Sequence, residues 1–511
     1  MLLSGMRREA KFMGLGPYFL GIDAGQTVVK AVVHDENMKR ISAAKAASPN
    51  RTPAPRYVER SHQDLWLAAR TAIRGALEQG TLDASAIAAI GITGHGDGLH
   101  LVDKAGAEVG PAIMAVDSRA WREMGEILDD DDRSATILRL SGQVPFLGSP
   151  GVILAWTARN HPERISGAHA MLACKDVLRL RLTGHIGTDF SDASASFLNT
   201  QTSTWSDELL SAYGLDHASH LMPQLHSSTE VVGRISVDAA SETGLRAGTP
   251  VVAGSHDVHA SAVGMGSLRA NMLSLIAGSF SINAVATQAP ATHRSWQNRL
   301  SVEPGLRMAM STSATASTTL EWFLFTCGAT TAGHRDELFE QARRLPLSHD
   351  LPILTPFLFA SPFGEAPSGT FVGLRNWHTP AHLLRATLEG IAWMHVWHTR
   401  ELSRCLEWGD VARLGGGIAN SSFYSEMVSQ ALNLDIEVVA NDETGCFGAA
   451  AMASTGVGHF AHFSDAFKHV SVERHHRPHA GGLSYWVERR SRFEEATAAL
   501  MPLWKSWQHD A

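Results

Sequence analysis

The chain has 511 residues, 44% of them hydrophobic and 18% charged, with a formal net charge of -8. That length exceeds the roughly 250–300 residues at which a single core stops growing, so two large domains are expected. The acidic balance excludes a basic footprint for nucleic acid and a polybasic patch for a membrane, and no apolar stretch is long enough to span a bilayer.

Residues 1–16, MLLSGMRREAKFMGLG, carry basic side chains without an apolar run of signal-peptide length and read as a frayed leader or an upstream start. The first clear element is FLGIDAGQTVVKAVVHD (Phe19–Asp35), two apolar strands joined by a polar turn. A turn exposes backbone N–H groups, and glycine lets them approach an anion closely. Gly25, Gln26 and Thr27 can therefore cradle a phosphate. Asp23 ends its strand at the same place, and a carboxylate beside a phosphate suits Mg²⁺ between them. Lys30 either neutralises phosphate charge or lies along the sheet edge; the plain alternative for the whole stretch is an ordinary capped hairpin.

DLWLAARTAIRGALEQG reads as an amphipathic helix ended by Gly80. AAIGITGHGDGLHLVD then reads as strand, glycine loop, strand, with His95, Asp97 and His100 in the loop. Carboxylates there can accept from sugar hydroxyls, or the polar tip can simply face water. In AVDSRA, Asp117 and Arg119 either bind hydroxyls or salt-bridge to each other. GTPVVAGSHDVHASAVGMG is a buried strand, a turn and a small-residue helix, and Asp257 sits just past the strand, where α/β folds keep their ligands. The rival role for Asp257 is a helix N-cap. His256 and His259 lack a third zinc ligand, and HHRPH (His475–His479) reads as a solvated loop.

The second half restarts the plan. NMLSLIAGSFSINAVAT (Asn271–Thr287) is again strand, turn, strand, with Gly278 and Ser279 at the turn. VARLGGGIANSSFYSEMVSQALN sets Gly415, Gly416 and Gly417 between a strand and a helix, where a ring or phosphate can come close. It is not GxGxxG, and no acidic residue follows at the spacing an NAD ribose requires. Strands alternating with helices in two like halves imply an α/β architecture with a cleft between two similar domains. Cys174, Cys327, Cys405 and Cys446 lie far apart, as reduced thiols of a cytoplasmic protein do.

Taken in order, these stretches resemble the FGGY carbohydrate kinases from about residue 17 to 490, with GTFVGLRNWHTPAHLLRATLEG and ETGCFGAAAMAS matching later family segments. The resemblance implies two actin-like, ribonuclease-H-type domains: residues 17–255 on the sugar side and 256–490 on the nucleotide side, with ATP and Mg²⁺ as cofactors. It implies Asp257 as general base, substrate ligand and metal ligand, Asp23 as a metal-site carboxylate, and Gly25, Gln26, Thr27, Lys30, Gly278, Ser279, Gly416, Gly417 and Asn420 around the nucleotide. His95, Asp97, Asp117 and Arg119 fall at the sugar. A small sugar or polyol is the only partner expected, and a homodimer is left open.

There are departures. Gln26 stands where Thr or Ser is usual, and Ser279 stands alone where Gly-Thr-Ser is usual. Val258 and Val116 argue against glycerol and D-xylulose as substrates, and the motif detail leans towards L-xylulose kinases, then erythritol kinases. The expected activity is transfer of the γ-phosphate of MgATP to a primary hydroxyl of a ketopentose such as L-xylulose. The alternatives are a short-polyol kinase, a self-hydrolysing actin-like ATPase, and a non-catalytic actin-like ATP-binding sensor.

Overall fold

The structure is a computed structural model that describes residues 16–359, 361–364, 366–440 and 443–507. Apart from Gly16, the expected leader lies outside the described residues. The opening stretch forms β1 (Tyr18–Ala24) and β2 (Val28–His34), an antiparallel hairpin that continues into β3 (Arg40–Ala47). Nearly every residue of β1 is buried, as expected of a strand covered on both faces. β4 (Ile87–Gly94) pairs parallel with β1, and β5 (Val231–Arg234), β6 (Pro250–Val252) and β7 (Ser255–His256) complete a seven-stranded sheet. Its path is β5-β6-β4-β1-β2-β3, with β7 also pairing β4.

The second sheet repeats the plan. β8 (Leu273–Ala277), β9 (Ser281–Thr287), β10 (Gln297–Leu300), β11 (Arg307–Ser313), β12 (Val411–Gly415), β13 (Asp435–Val439) and β14 (Val472–His476) run in the order β10-β11-β9-β8-β12-β13-β14. β8 pairs antiparallel with β9 and parallel with β12, as β1 does with β2 and β4. The repeated hairpin seen in the sequence is thus the start of a repeated sheet. His475 and His476 were expected in a solvated loop. They end the edge strand β14, where His475 meets Asp435 at 3.2 Å and His476 meets Ser425 at 3.0 Å.

Helix α1 (His62–Gly80) covers the first sheet, with Ser61 as its cap. Between the sheets lie α2 (Asp257–Gly264) and α3 (Thr444–Gly456). A separate core joins the two sheets here, built from Phe19 and Ala89 of the first, Ala284 and Met310 of the second, and the alanines of both helices. The helices reach backbone contact. A Cβ on Gly21 would lie 1.9 Å from the Cys446 carbonyl oxygen, one on Gly91 1.9 Å from Ala449, and one on Gly448 1.9 Å from Ala260. Those glycines are required by packing and not by φ. Among the described residues no helix is long and apolar enough to cross a membrane, and all four cysteines are free thiols.

The contact predicts an asymmetric response to added methyl groups. Gly91→Ala forces a backbone shift where α3 meets β4 and should cost about 1–3 kcal/mol or more. Gly125→Ala, in a helix (Trp121–Leu128) where a Cβ meets nothing within 4 Å, should stabilise by about 0.5–1 kcal/mol. Melting temperatures of the two variants check it; equal shifts would show that the backbone contact is not tight.

Candidate active site

β1, β4 and β7 are parallel neighbours, and their register sets Asp23 beside Thr93 and Thr93 beside Ser255. Three connections therefore emerge at one sheet edge: the turn at 25–27, the loop at 95–98 and the entry to α2. The carboxyl ends of such strands are where ligands bind in open α/β sheets. The N–H of His95 donates to the Ala24 carbonyl at 2.9 Å, tying the loop to the turn. Asp257 is the first residue of α2, with His256 in the cap position and no side-chain cap bond, so the capping role does not explain it. Its carboxylate lies 3.5 Å from His256 Nε2 and keeps 36% of its side chain exposed.

The site gathers carboxylates. Burial holds the Asp257 carboxyl well above the usual range, and the charges of Asp23, Asp192 and Asp97 push the same way. Burial also raises Asp23 to about 6, Lys30 opposing the rise and Glu443 adding to it. Asp23 and Asp257, at neighbouring strand ends, supply the one or two carboxylates that Mg²⁺ usually takes beside phosphate oxygens. Lys30 faces Asp23 across the hairpin and binds Glu443 at 2.6 Å. Glu443 directly precedes α3, and a Cβ on Gly445 would meet Asp23 Oδ2 at 2.9 Å, so the start of α3 closes over the end of β1.

The two turns differ from the simple reading. The Gly25 N–H is spent on the Val28 carbonyl at 3.0 Å, so it does not offer itself to an anion. No described hydrogen bond takes the N–H of Gln26 or Thr27. The carbonyls of Gly25 and Gln26 accept from Arg60 Nη1 at 3.3 and 3.2 Å. At the second turn, the Gly278 carbonyl accepts from the Ser317 N–H at 2.8 Å, and Ser279 is exposed. Gly416, at φ +99°, lets the glycine turn pass so close that a Cβ would lie 2.8 Å from the Gly278 nitrogen. A Cβ on Gly417 would meet nothing within 4 Å, and Asn420 is exposed, so open space lies on that side.

In the sugar loop, Asp97 has φ +63° and binds Arg299 of β10 at 2.8 Å; Arg299 also donates to Gln143 Oε1 at 3.1 Å. Its flanking glycines do not simply free its carboxylate. A Cβ on Gly96 would strike the His256 ring at 1.9 Å, and one on Gly98 would lie 2.7 Å from the Ile113 carbonyl oxygen. His95 Nε2 lies 2.9 Å from Arg60 Nη2. Because guanidinium only donates, that nitrogen accepts and the other carries the proton. Burial and Arg60 lower His95 to about 3 and keep it neutral. Asp117 and Arg119 do not present themselves to a ligand. Both are buried; Arg119 binds Asp117 at 2.7 Å and Glu59 at 2.8 Å, and Asp117 also accepts the Val58 N–H at 2.6 Å. The salt bridge is the arrangement formed.

Among the described residues, one cluster has metal-ligand geometry: His95, His100 and Cys174. The Arg60 guanidinium already lies among them, 3.4 Å from Cys174 Sγ, so a cation is disfavoured there. His256 and His259 approach to 3.4 Å. Sequence reasoning missed Arg60, Arg299 and Asp192. Arg60 precedes the Ser61 cap of α1 and Arg299 lies in an edge strand, and neither position carries a motif.

The N-terminal domain profile of the FGGY family of carbohydrate kinases matches residues 18–264, and its C-terminal domain profile matches 273–457. The L-xylulose/3-keto-L-gulonate kinase of Escherichia coli (strain K12) is 31% identical over 88% of this chain and 90% of its own length. The erythritol kinase of Brucella abortus (strain 2308) is 28% identical over 98% and 99%. The crystal structure of a xyloylose kinase from Brucella ovis superposes with a TM-score of 0.82 at 27% identity, covering 95% of this chain and 100% of that one. With both domains matched in order and the site at the edges of two repeated sheets, this chain belongs to the FGGY family of carbohydrate kinases and is a sugar phosphotransferase.

Proposed function

We propose that the protein transfers the γ-phosphate of MgATP to a primary hydroxyl of a ketopentose such as L-xylulose. The observation that carries the reaction is Asp257, a half-open carboxylate at the shared sheet edge whose proton affinity is raised by burial and by neighbouring carboxylates. The substrate class is favoured by the relative at 31% identity and by the sugar-loop motif. Erythritol or another short polyol is the second reading, favoured by the relative aligned over 98% of the chain.

Asp257 orients the acceptor hydroxyl and takes its proton as the oxygen attacks phosphorus. A loose transition state needs little covalent help, so positioning and charge do most of the work. The N–H groups of Gln26 and Thr27 face the phosphates from one sheet, and the turn at Gly278 and Ser279 does so from the other. Gly416, Gly417 and Asn420 border the rest of the nucleotide. Bound Mg²⁺, held by Asp23 and Asp257, supplies charge neutralisation of the phosphate oxygens. Lys30, anchored by Glu443, adds a fixed positive charge beside Asp23. Arg60 is a positioning residue that holds the phosphate turn and the His95 ring in one fork. Residues 17–255 and 256–490 act as sugar and nucleotide domains whose closure keeps water from competing as acceptor.

Asp257→Asn should lower kcat by about 10²–10⁴-fold while sugar binding persists. Turnover at the wild-type rate would place the base elsewhere. A coupled ADP assay over C3 to C6 ketoses and alditols should give the highest kcat/KM with L-xylulose; a higher value with erythritol replaces the ketose reading. Sugar-dependent ATP binding without ADP release from any of them would make the protein a sensor. Arg60→Lys keeps the charge but loses the fork, and one lost charged hydrogen bond of about 1.5 kcal/mol should lower kcat/KM for sugar and for ATP by about 10-fold each. A variant with reduced melting temperature but unchanged kinetics would confine Arg60 to the fold.

A further inference from the structure

A cavity of about 30 Å³ opens beside the sugar loop, lined by Asp97 and Asp192 with Pro150, Met171, Ala195 and Trp205 among its walls. A buried water needs about 10–15 Å³ of such space, so the cavity accepts one or two waters or a single hydroxymethyl group. Asp192 lies in a short helix (Phe190–Ala193), and its side chain is 3% exposed. Lys175 Nζ meets its Oδ2 at 3.1 Å, and among the described residues its Oδ1 has no hydrogen-bond partner. Lys175 is shared: it also meets Asp176 at 2.7 Å and Asp189 at 2.9 Å, and Arg179 meets Asp176 at 2.8 Å. Two cations thus face three carboxylates, and the excess negative charge falls at Asp192. Burial, with Asp189 and Asp176, raises its carboxyl to about 7, in keeping with that excess. The other cation nearby, Arg299, is matched by Asp97. Gly96, next to Asp97, packs on the His256 ring that meets Asp257 at 3.5 Å, so the cavity adjoins the reacting centre.

A buried acceptor without a donor costs free energy until a ligand supplies one. We propose that Asp192 is a substrate-binding residue: it accepts a hydroxyl hydrogen from one end of an uncharged sugar or polyol seated in this cavity, and it rejects sugar acids there. This rests on the kinase reading above and narrows its substrate class. A hydroxymethyl group and a carboxylate are similar in size, so the discrimination is by charge. The apolar walls receive the methylene, and Asp192 accepts the one hydrogen of the hydroxyl. A carboxylate in the same place offers no donor and meets like charge. Sequence alone gave no signal for Asp192, because its partners Lys175 and Asp189 are assembled from different elements.

The test is calorimetric titration of wild type with L-xylulose, xylitol and xylonate, without nucleotide, beside the ADP assay. Wild type should bind the better neutral ligand at least about 10-fold more tightly than xylonate. Asp192→Asn should weaken the neutral ligand by about 10-fold, leave the KM for ATP unchanged and narrow the ratio to xylonate. Lys175 keeps Asp176 and Asp189 in this variant, whereas removing Asp97 would strand Arg299. Ala195→Val fills the cavity without touching the ion network and should weaken the neutral ligand too; it decides alone if Asp192→Asn does not fold. Unchanged affinities in the variants, or xylonate bound as well as xylitol by wild type, overturn the proposal while ADP release leaves the kinase reading standing. No ADP release by wild type with any sugar overturns the kinase reading and this proposal with it.

Discussion

The structure depends on backbone-to-backbone contact between two helices and a sheet from different parts of the chain. α3 lies between β13 and β14 of the second sheet in sequence, yet it packs on β1 and β4 of the first, with Gly21 and Gly91 beneath it and α2 crossing at Gly448. Side chains larger than hydrogen at those points would separate the layers. Close approach brings Glu443 and Gly445 to Asp23 and Lys30, so residues more than 400 positions apart in the chain share one site. The alanine-rich composition of α2 and α3 has the same cause: small side chains leave room for dense packing in the core between the sheets.

That packing sets the electrostatics. Each strand end at the shared edge carries a polar group, and burying several carboxylates together is unfavourable without a counter-charge. The protein supplies some of it: Lys30 between Asp23 and Glu443, Arg299 at Asp97, and Lys175 among Asp176, Asp189 and Asp192. At Asp257 no described cation lies in contact; its neighbour at 3.5 Å is the His256 ring, which burial keeps neutral. Structural ion pairs and the unbalanced carboxylates thus separate along the edge, the former holding the loops.

Arg60 shows how one buried cation can organise two loops. Its fork bonds the carbonyls of the first turn on one side and His95 on the other, and Ser48 supplies a further acceptor at 3.1 Å. A guanidinium is suited to this because its donors are rigidly splayed and its charge cannot be lost. The same group donates to His95 and Cys174, two of the three potential metal ligands gathered there, while His100 Nδ1 meets His62 at 3.2 Å.

The sequence by itself determined the strand-turn-strand openings of both halves, helix α1 with its end at Gly80, the position of Asp257 after a buried strand, and the family. These follow from local rules: apolar runs of strand length, turn residues with special backbone freedom, and motifs that are contiguous in the chain. Tertiary structure alone decided which polar groups remain for a ligand. Gly25 looked like a phosphate donor, but its N–H closes the hairpin; Asp117 and Arg119 looked like a sugar pair, but they bind each other. Asp97 reaches an arginine 202 positions away, and Asp192 keeps one oxygen unpaired among the described residues because Lys175 is shared with Asp176 and Asp189. Whether a polar side chain is satisfied depends on partners brought in by packing, and neither spacing nor composition specifies who those partners are.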